Sequence, residues 1–191
     1  MTPPARPAWT RVLLGAAQFL LFQAAWFACV LGAAHGRVAL GVAAVAVAVI
    51  VNLGLSDRRR ADLALTALAI LIGLAWDTWM LRGGWVLYAS PGPVASWAPA
   101  WILALWALFA TLLRGPLSWL HARPLLAAVM GAVGGPLSYL AAVRLGAGHF
   151  PDAAYALSVL ALGWALITPL LIEAARLLSS PCRRVRLSSS A

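Results

Sequence analysis

Six stretches of this chain are apolar for long enough to cross a bilayer, and little sequence is left between them. They run at about 12–34, 38–55, 61–81, 97–113, 124–143 and 153–178. A span needs roughly 20 mostly apolar residues, and in lipid only helices and closed barrels satisfy their own backbone. These runs are rich in Ala, Leu and Val, have helix length, and lack the polar/apolar alternation of barrel strands. The expected fold class is therefore all-α: a polytopic membrane bundle of six transmembrane helices. With 63% hydrophobic and only 10% charged residues, nothing remains for a separate soluble domain. Residues 1–10 read as a Pro-rich stub, 11–178 as one six-helix transmembrane domain, and 179–191 as a disordered basic tail.

The charges orient the bundle. All fourteen basic residues are arginines. Eleven fall on the side of the N-terminus: Arg6, Arg11, Arg58, Arg59, Arg60, Arg114, Arg123, Arg176, Arg183, Arg184 and Arg186. Arg37, Arg82 and Arg144 fall on the other. The positive-inside rule makes the Arg-rich side cytoplasmic and places both termini there. The net charge of +9 is then an orientation signal and an anchor for anionic lipid, not a nucleic-acid footprint. The first apolar run is too long for a signal peptide and no small-x-small cleavage site follows it. Cys29 and Cys182 lie on opposite sides of the membrane and cannot pair.

Asp77 interrupts this apolar pattern. An ionisable residue inside a span is a functional-site candidate by default. Span 3 is centred near Leu71, so Asp77 sits ~9 Å further out, roughly 6 Å below the outer boundary. On a helical wheel Asp62, Thr66, Gly73 and Asp77 fall on one stripe, expected to face other helices, with Leu65, Leu68 and Ile72 facing lipid. Arg144, at the outer end of span 5, is the expected partner, because Arg82 at i+5 is poorly aligned. Two roles fit: an ion pair holding spans 3 and 5 together, or a functional carboxylate.

Span 5 carries Gly131, Gly134 and Gly135 before Pro136. A mid-span proline removes a backbone bond and is expected to break or kink the helix. Ala127, Gly131 and Gly135 also form a small-xxx-small ladder suited to close packing. Trp26, Trp76, Trp79, Trp85, Trp97 and Trp101 gather in the outer half, against Trp9 and Trp119 at the inner border. An aromatic belt explains part of this. A Trp-framed cleft around Asp77 explains the rest, and Trp97 and Trp101 are expected on one helix face. The candidate cleft comprises Asp77, Trp76, Trp79, Trp101, Arg144, Ser138 and Tyr139, with Gly134, Gly135 and Pro136 as the helix break. It suits an acyl chain, a lipid headgroup or another small amphipathic ligand.

Other features are structural. Gly115 to Arg123 is expected to form a short interfacial helix from Pro116. Gln18, Gln23 and Asn52 are expected to cross-link helices, and Glu173 to pair with Arg176 at i+3. His35, His149 and Asp152 lack metal-ligand spacing. No phosphate loop, His-Glu-x-x-His or nucleophile elbow is present, so no metal or cofactor is expected.

Several motifs together resemble one family. They are Trp26-Phe27-Ala28-Cys29-Val30, Gly73 with Asp77, Ala98-Pro99-Ala100-Trp101-Ile102 running on to Trp106, and Gly134-Gly135-Pro136-Leu137-Ser138-Tyr139. The chain resembles an uncharacterised family of small bacterial inner-membrane proteins, catalogued as a domain of unknown function, over about residues 12–175. The resemblance implies an integral inner-membrane protein and a link to fatty-acyl modification. It marks Asp77, Trp101, Trp106, Pro136, Ser138 and Tyr139 as motif positions without assigned roles. Ala142 departs from the glycine expected there. Three functions stay open: a lipid- or small-molecule-binding accessory of envelope lipid metabolism, a small transporter with Asp77 as proton carrier, and a lipid-modifying enzyme with Asp77 as acid or base. Membrane lipid and a small amphipathic ligand are the expected partners.

Overall fold

The computed structural model describes residues 8–179, with the side chains of 8, 11 and 12 excepted. Most of the stub, the tail from 180 onward and Cys182 lie outside the described residues. Six α-helices follow one another: α1 Ala8–Ala34, α2 Val38–Leu55, α3 Arg59–Arg82, α4 Ala100–Leu113, α5 Pro124–Arg144 and α6 Ala153–Ser179. Two short strands, β1 Leu87–Tyr88 and β2 Gly148–His149, pair antiparallel with Leu87 opposite His149 and Tyr88 opposite Gly148. They tie the α3–α4 loop to the α5–α6 loop.

All helices but α4 are long and apolar enough to span a membrane. Large apolar side chains such as Leu20, Ile50, Leu71, Leu125 and Leu166 face outward and are exposed. Water would penalise such a surface, whereas lipid does not. The all-α membrane fold expected from the sequence is thus the fold observed.

Helix α4 is the shortest and most enclosed. Its fourteen residues reach about 21 Å, less than the hydrocarbon thickness. The expected span from 97 starts instead at Ala100, because Pro99 disfavours helical backbone at the residue before it. Trp97 and Trp101 therefore do not share a helix face: Trp97 is exposed and Trp101 is buried. Helix α4 runs antiparallel to α3 along nearly its whole length. At one end the Ala98 amide donates to Thr78 Oγ1 at 3.1 Å. At the other, Arg114 Nη1 meets Asp62 Oδ1 at 2.5 Å. Ser56 also donates to Asp62, and Arg114 Nε donates to Ser179 Oγ at 2.9 Å. This cluster clamps α3, α4 and α6 together on the Arg-rich side.

Without a strong hydrophobic drive between helices in lipid, close backbone approach holds a bundle together. A Cβ on Gly41 would stand 2.7 Å from the Cα of Cys29, so α1 and α2 touch backbone to backbone. Three further glycines seat tryptophan rings: Gly73 under Trp106, Gly135 under Trp164 and Gly163 under Trp76. Half-depth tryptophans here are packing knobs rather than members of an interfacial belt. Gln18 Nε2 donates to Asn52 Oδ1 at 3.3 Å, cross-linking α1 and α2 as expected. The Glu173–Arg176 pair forms as expected, at 2.5 Å.

Three further expectations are corrected. Helix α5 runs through Pro136 without the expected break. One missing N–H removes a single bond, and the turns on either side hold the helix. Leu65 is buried, not lipid-facing, since the inward stripe of α3 comprises Leu65, Ala69, Gly73, Asp77 and Met80. The Gly115–Arg123 segment contains a three-residue 3-10 turn, Ser118–Leu120, rather than an interfacial helix.

Candidate functional site: a buried carboxylate beside a lateral cavity

Asp77 is fully buried on the inward stripe of α3. Gly73, one turn before it, leaves room for the Trp106 ring to lie directly on the α3 backbone. That seat brings Trp106 Nε1 to Asp77 Oδ2, to which it donates at 2.6 Å. The hydroxyls of Tyr88 and Tyr139 both donate to Oδ1, each at 2.6 Å. An ionised carboxylate is acceptor-only, with about four lone-pair sites, and three of these are met by neutral donors. Each donor comes from a different element. Trp106 belongs to α4, Tyr139 to α5, and Tyr88 to β1, where the ribbon pairing with Gly148 sets its position.

The aromatic rings around the carboxylate brace one another. Trp106 stacks on Trp164 of α6 at 4.8 Å and 14°. Tyr139 meets Trp164 edge-on at 6.3 Å, and Tyr88 meets Trp101 edge-on at 5.5 Å. Trp101 Nε1 in turn donates to the Ser90 carbonyl at 3.1 Å. These contacts fix the donors before any ligand arrives.

The expected Asp77–Arg144 pair does not exist. Arg144 lies exposed at the end of α5, five residues past Tyr139 and so about 7.5 Å further along the axis. Among the described residues the two ion pairs are Asp62–Arg114 and Glu173–Arg176. Neutral donors, not a cation, offset the desolvation of Asp77. Arg144→Gln is accordingly expected to leave thermal stability in detergent within about 0.5 kcal/mol of wild type, as for a surface change away from the core. A loss of several kcal/mol in thermal unfolding would contradict this arrangement.

Behind the donors lies a cavity of about 480 Å³. Tyr88, Trp106 and Tyr139 stand between Asp77 and this space and form part of its wall. The cavity is bounded by α1, α4, α5 and α6, with Leu117 and Leu120 at the Arg-rich end and Ala147 and Gly148 at the other. Trp101, Ser138 and Tyr139 of the sequence-derived cleft line it, as does Gln23. Trp76 and Trp79 do not: Trp76 packs on Gly163, and Trp79 is exposed against Trp85 at 4.4 Å. Phe27 on α1 and Met130, Gly134 and Leu137 on α5 both line the cavity and reach the surface. The space thus opens sideways between α1 and α5, because α5 packs almost entirely on α6 and leaves α1 free.

Gly135 and Gly134 have opposite roles. Gly135 seats Trp164, whereas Gly134 faces open space at the mouth. Pro136 is buried within the continuous helix. Sequence reasoning missed Tyr88, Trp106 and Trp164 as partners. One signal was available: the chain has only three tyrosines, and two of them reach Asp77. No group of three His, Cys, Asp or Glu among the described residues could hold a metal ion.

Long helices with apolar outer surfaces, closed around a buried polar centre and a lateral cavity, define a multi-pass helical membrane protein. The chain belongs to the DUF2878 family, described as proteins of unknown function, which matches residues 15–170. No curated protein and no solved structure matches it.

Proposed function

We propose that this protein binds one hydrocarbon chain of a membrane lipid or similar amphiphile, admitted sideways between α1 and α5. The observation behind this reading is the cavity of about 480 Å³, walled by aromatic and aliphatic side chains and reaching the lipid-facing surface. Its size falls in the roughly 300–1,000 Å³ range of small-ligand sites. At about 30 Å³ per water-sized group, it holds roughly sixteen carbons, one chain rather than a whole diacyl lipid. A role as an accessory of envelope lipid metabolism follows from that chemistry. The Arg-rich side faces the cytoplasm of a bacterial inner membrane in this reading, with both termini on that side.

Two observations favour binding over the alternatives. An enzyme using Asp77 as acid or base needs the carboxyl at the ligand, yet Tyr88, Tyr139 and Trp106 screen it from the cavity. A transporter using Asp77 as proton carrier needs the carboxyl on a water path, yet Asp77 is fully buried behind the same three donors.

Gly134→Leu tests the reading. A Cβ at Gly134 meets nothing within 4 Å, and replacing an exposed helix glycine gains up to about 0.8 kcal/mol of helix propensity. The variant is expected to fold at least as well as wild type while its side chain closes the mouth. Mass spectrometry of lipid co-purified in detergent should show wild type retaining a chain and Gly134→Leu losing it by about tenfold, the effect of a ~1.4 kcal/mol penalty. Equal retention by a folded Gly134→Leu protein would remove the cavity as the binding site.

A further inference from the structure

We infer that the cavity selects an uncharged single-chain amphiphile whose head donates a hydrogen bond, a long-chain alcohol in its simplest form, over the corresponding carboxylate anion. This inference rests on the chain-binding reading above and adds the chemistry of the head group.

The hydrogen-bond inventory of the wall supports it. Among the described residues no Lys, Arg or His lines the cavity, so none of them neutralises an anionic head. The Asp77 carboxyl lies directly behind the wall and supplies no countercharge. Burying an unpaired charge in such surroundings is costly. The two phenols present a specific complement. Each has spent its single proton on Asp77 Oδ1, which leaves only oxygen lone pairs to offer a ligand. A hydroxyl can donate to those lone pairs. A carboxylate or phosphate oxygen cannot, and an ester cannot either.

The rest of the wall adds no charge. Trp164 Nε1 is turned toward the Tyr139 oxygen, and Thr168 Oγ1 is packed against α5 at Gly131. Gln23 and Ser138 are the remaining polar side chains of the cavity. A hydroxyl head, which both donates and accepts, suits the phenol oxygens and Ser138 together. Tyr88, Tyr139 and Ser138 lie in the half of the cavity nearer the β-ribbon. Phe109, Leu112, Leu117 and Leu120 line the other half. The head therefore sits beside Tyr88, Tyr139 and Ser138, with the chain running toward the Arg-rich side.

The test uses three brominated eighteen-carbon probes that differ only in the head: dibromostearyl alcohol, the methyl ester of dibromostearic acid, and dibromostearate. Bromine close to Trp106 and Trp164 quenches their emission. Titrations of the full chain in neutral detergent at about pH 9 keep the acid ionised. The alcohol is expected to bind at least about tenfold more tightly than the carboxylate, with the ester between them. Lowering the pH should tighten the acid toward the alcohol and leave the other two unchanged. Tyr139→Phe, which removes one phenol oxygen, should narrow the alcohol–ester gap. Carboxylate binding as tight as alcohol overturns the head-group inference while leaving the chain site standing, provided Gly134→Leu still weakens every probe. Saturable quenching by none of the probes overturns both.

Discussion

Asp77→Ala is expected to remove most of this protein's stability. The change strips the acceptor from three donors at once: the hydroxyls of Tyr88 and Tyr139 and the indole N–H of Trp106. A buried donor left unpaired costs about 1–3 kcal/mol. Three of them amount to roughly 3–9 kcal/mol, set against the 5–15 kcal/mol that holds a typical domain together. The loss also spreads, because those donors belong to α4, α5 and the β-ribbon. Asp77→Asn should be milder for a geometric reason. Its carbonyl oxygen can take the place of Oδ1 and keep both tyrosines, while its NH2 then faces the Trp106 N–H, donor against donor. That places the cost near 1–3 kcal/mol. Adding Trp106→Phe to Asp77→Asn removes the conflict and should recover part of the loss. Thermal unfolding in detergent, followed by tryptophan emission, gives the order. An Asp77→Ala protein within about 1 kcal/mol of wild type would show that the cluster contributes little.

Gly131→Ala is expected to loosen α5 from the bundle, although it adds one methyl group. The new Cβ would lie 2.2 Å from the Trp164 carbonyl oxygen and 2.3 Å from Thr168 Oγ1. Backbone cannot swing aside as a side chain can, so α5 must move away from α6. Helix α5 packs almost entirely on α6, so little besides the Tyr139–Asp77 hydrogen bond and the contacts at its ends holds it. Overpacking of this kind costs typically 1–3 kcal/mol and occasionally more. Gly134→Ala, one turn further on, faces open space and should instead stabilise by up to about 0.8 kcal/mol through helix propensity. Opposite signs in thermal unfolding for two glycines three residues apart are the expected signature. Equal shifts would mean that the α5–α6 seam is not the tight contact described.

The two predictions draw on different degrees of legibility. The Ala127, Gly131 and Gly135 ladder was readable because small residues every four positions share one helix face, and all three are buried. The inward direction of Asp77 was readable for the same reason, with Gly73 and Asp77 on one stripe. Its partners were not. Periodicity relates residues along one helix, whereas Tyr88, Trp106 and Tyr139 come from three other elements. Charge reasoning then favoured Arg144, the nearest cation in the outer half, although neutral donors can satisfy a buried carboxylate just as well. The tryptophans show the same limit. Trp76 and Trp79, three residues apart, part company: one is seated on Gly163 of α6 and the other faces outward beside Trp85.

Apolar runs of helix length, punctuated by Gly, Pro and Arg, were enough to determine an all-helical membrane chain, and most helix ends fall within two residues of the runs. Backbone satisfaction in lipid is local to each helix, so the sequence records it directly. Tertiary structure alone decided that α4 is the buried centre, that the β-ribbon carries Tyr88 to Asp77, and that α1 and α5 leave a mouth between them. Those outcomes depend on which glycine accepts which tryptophan across helices, a matter of three-dimensional fit that no single run encodes.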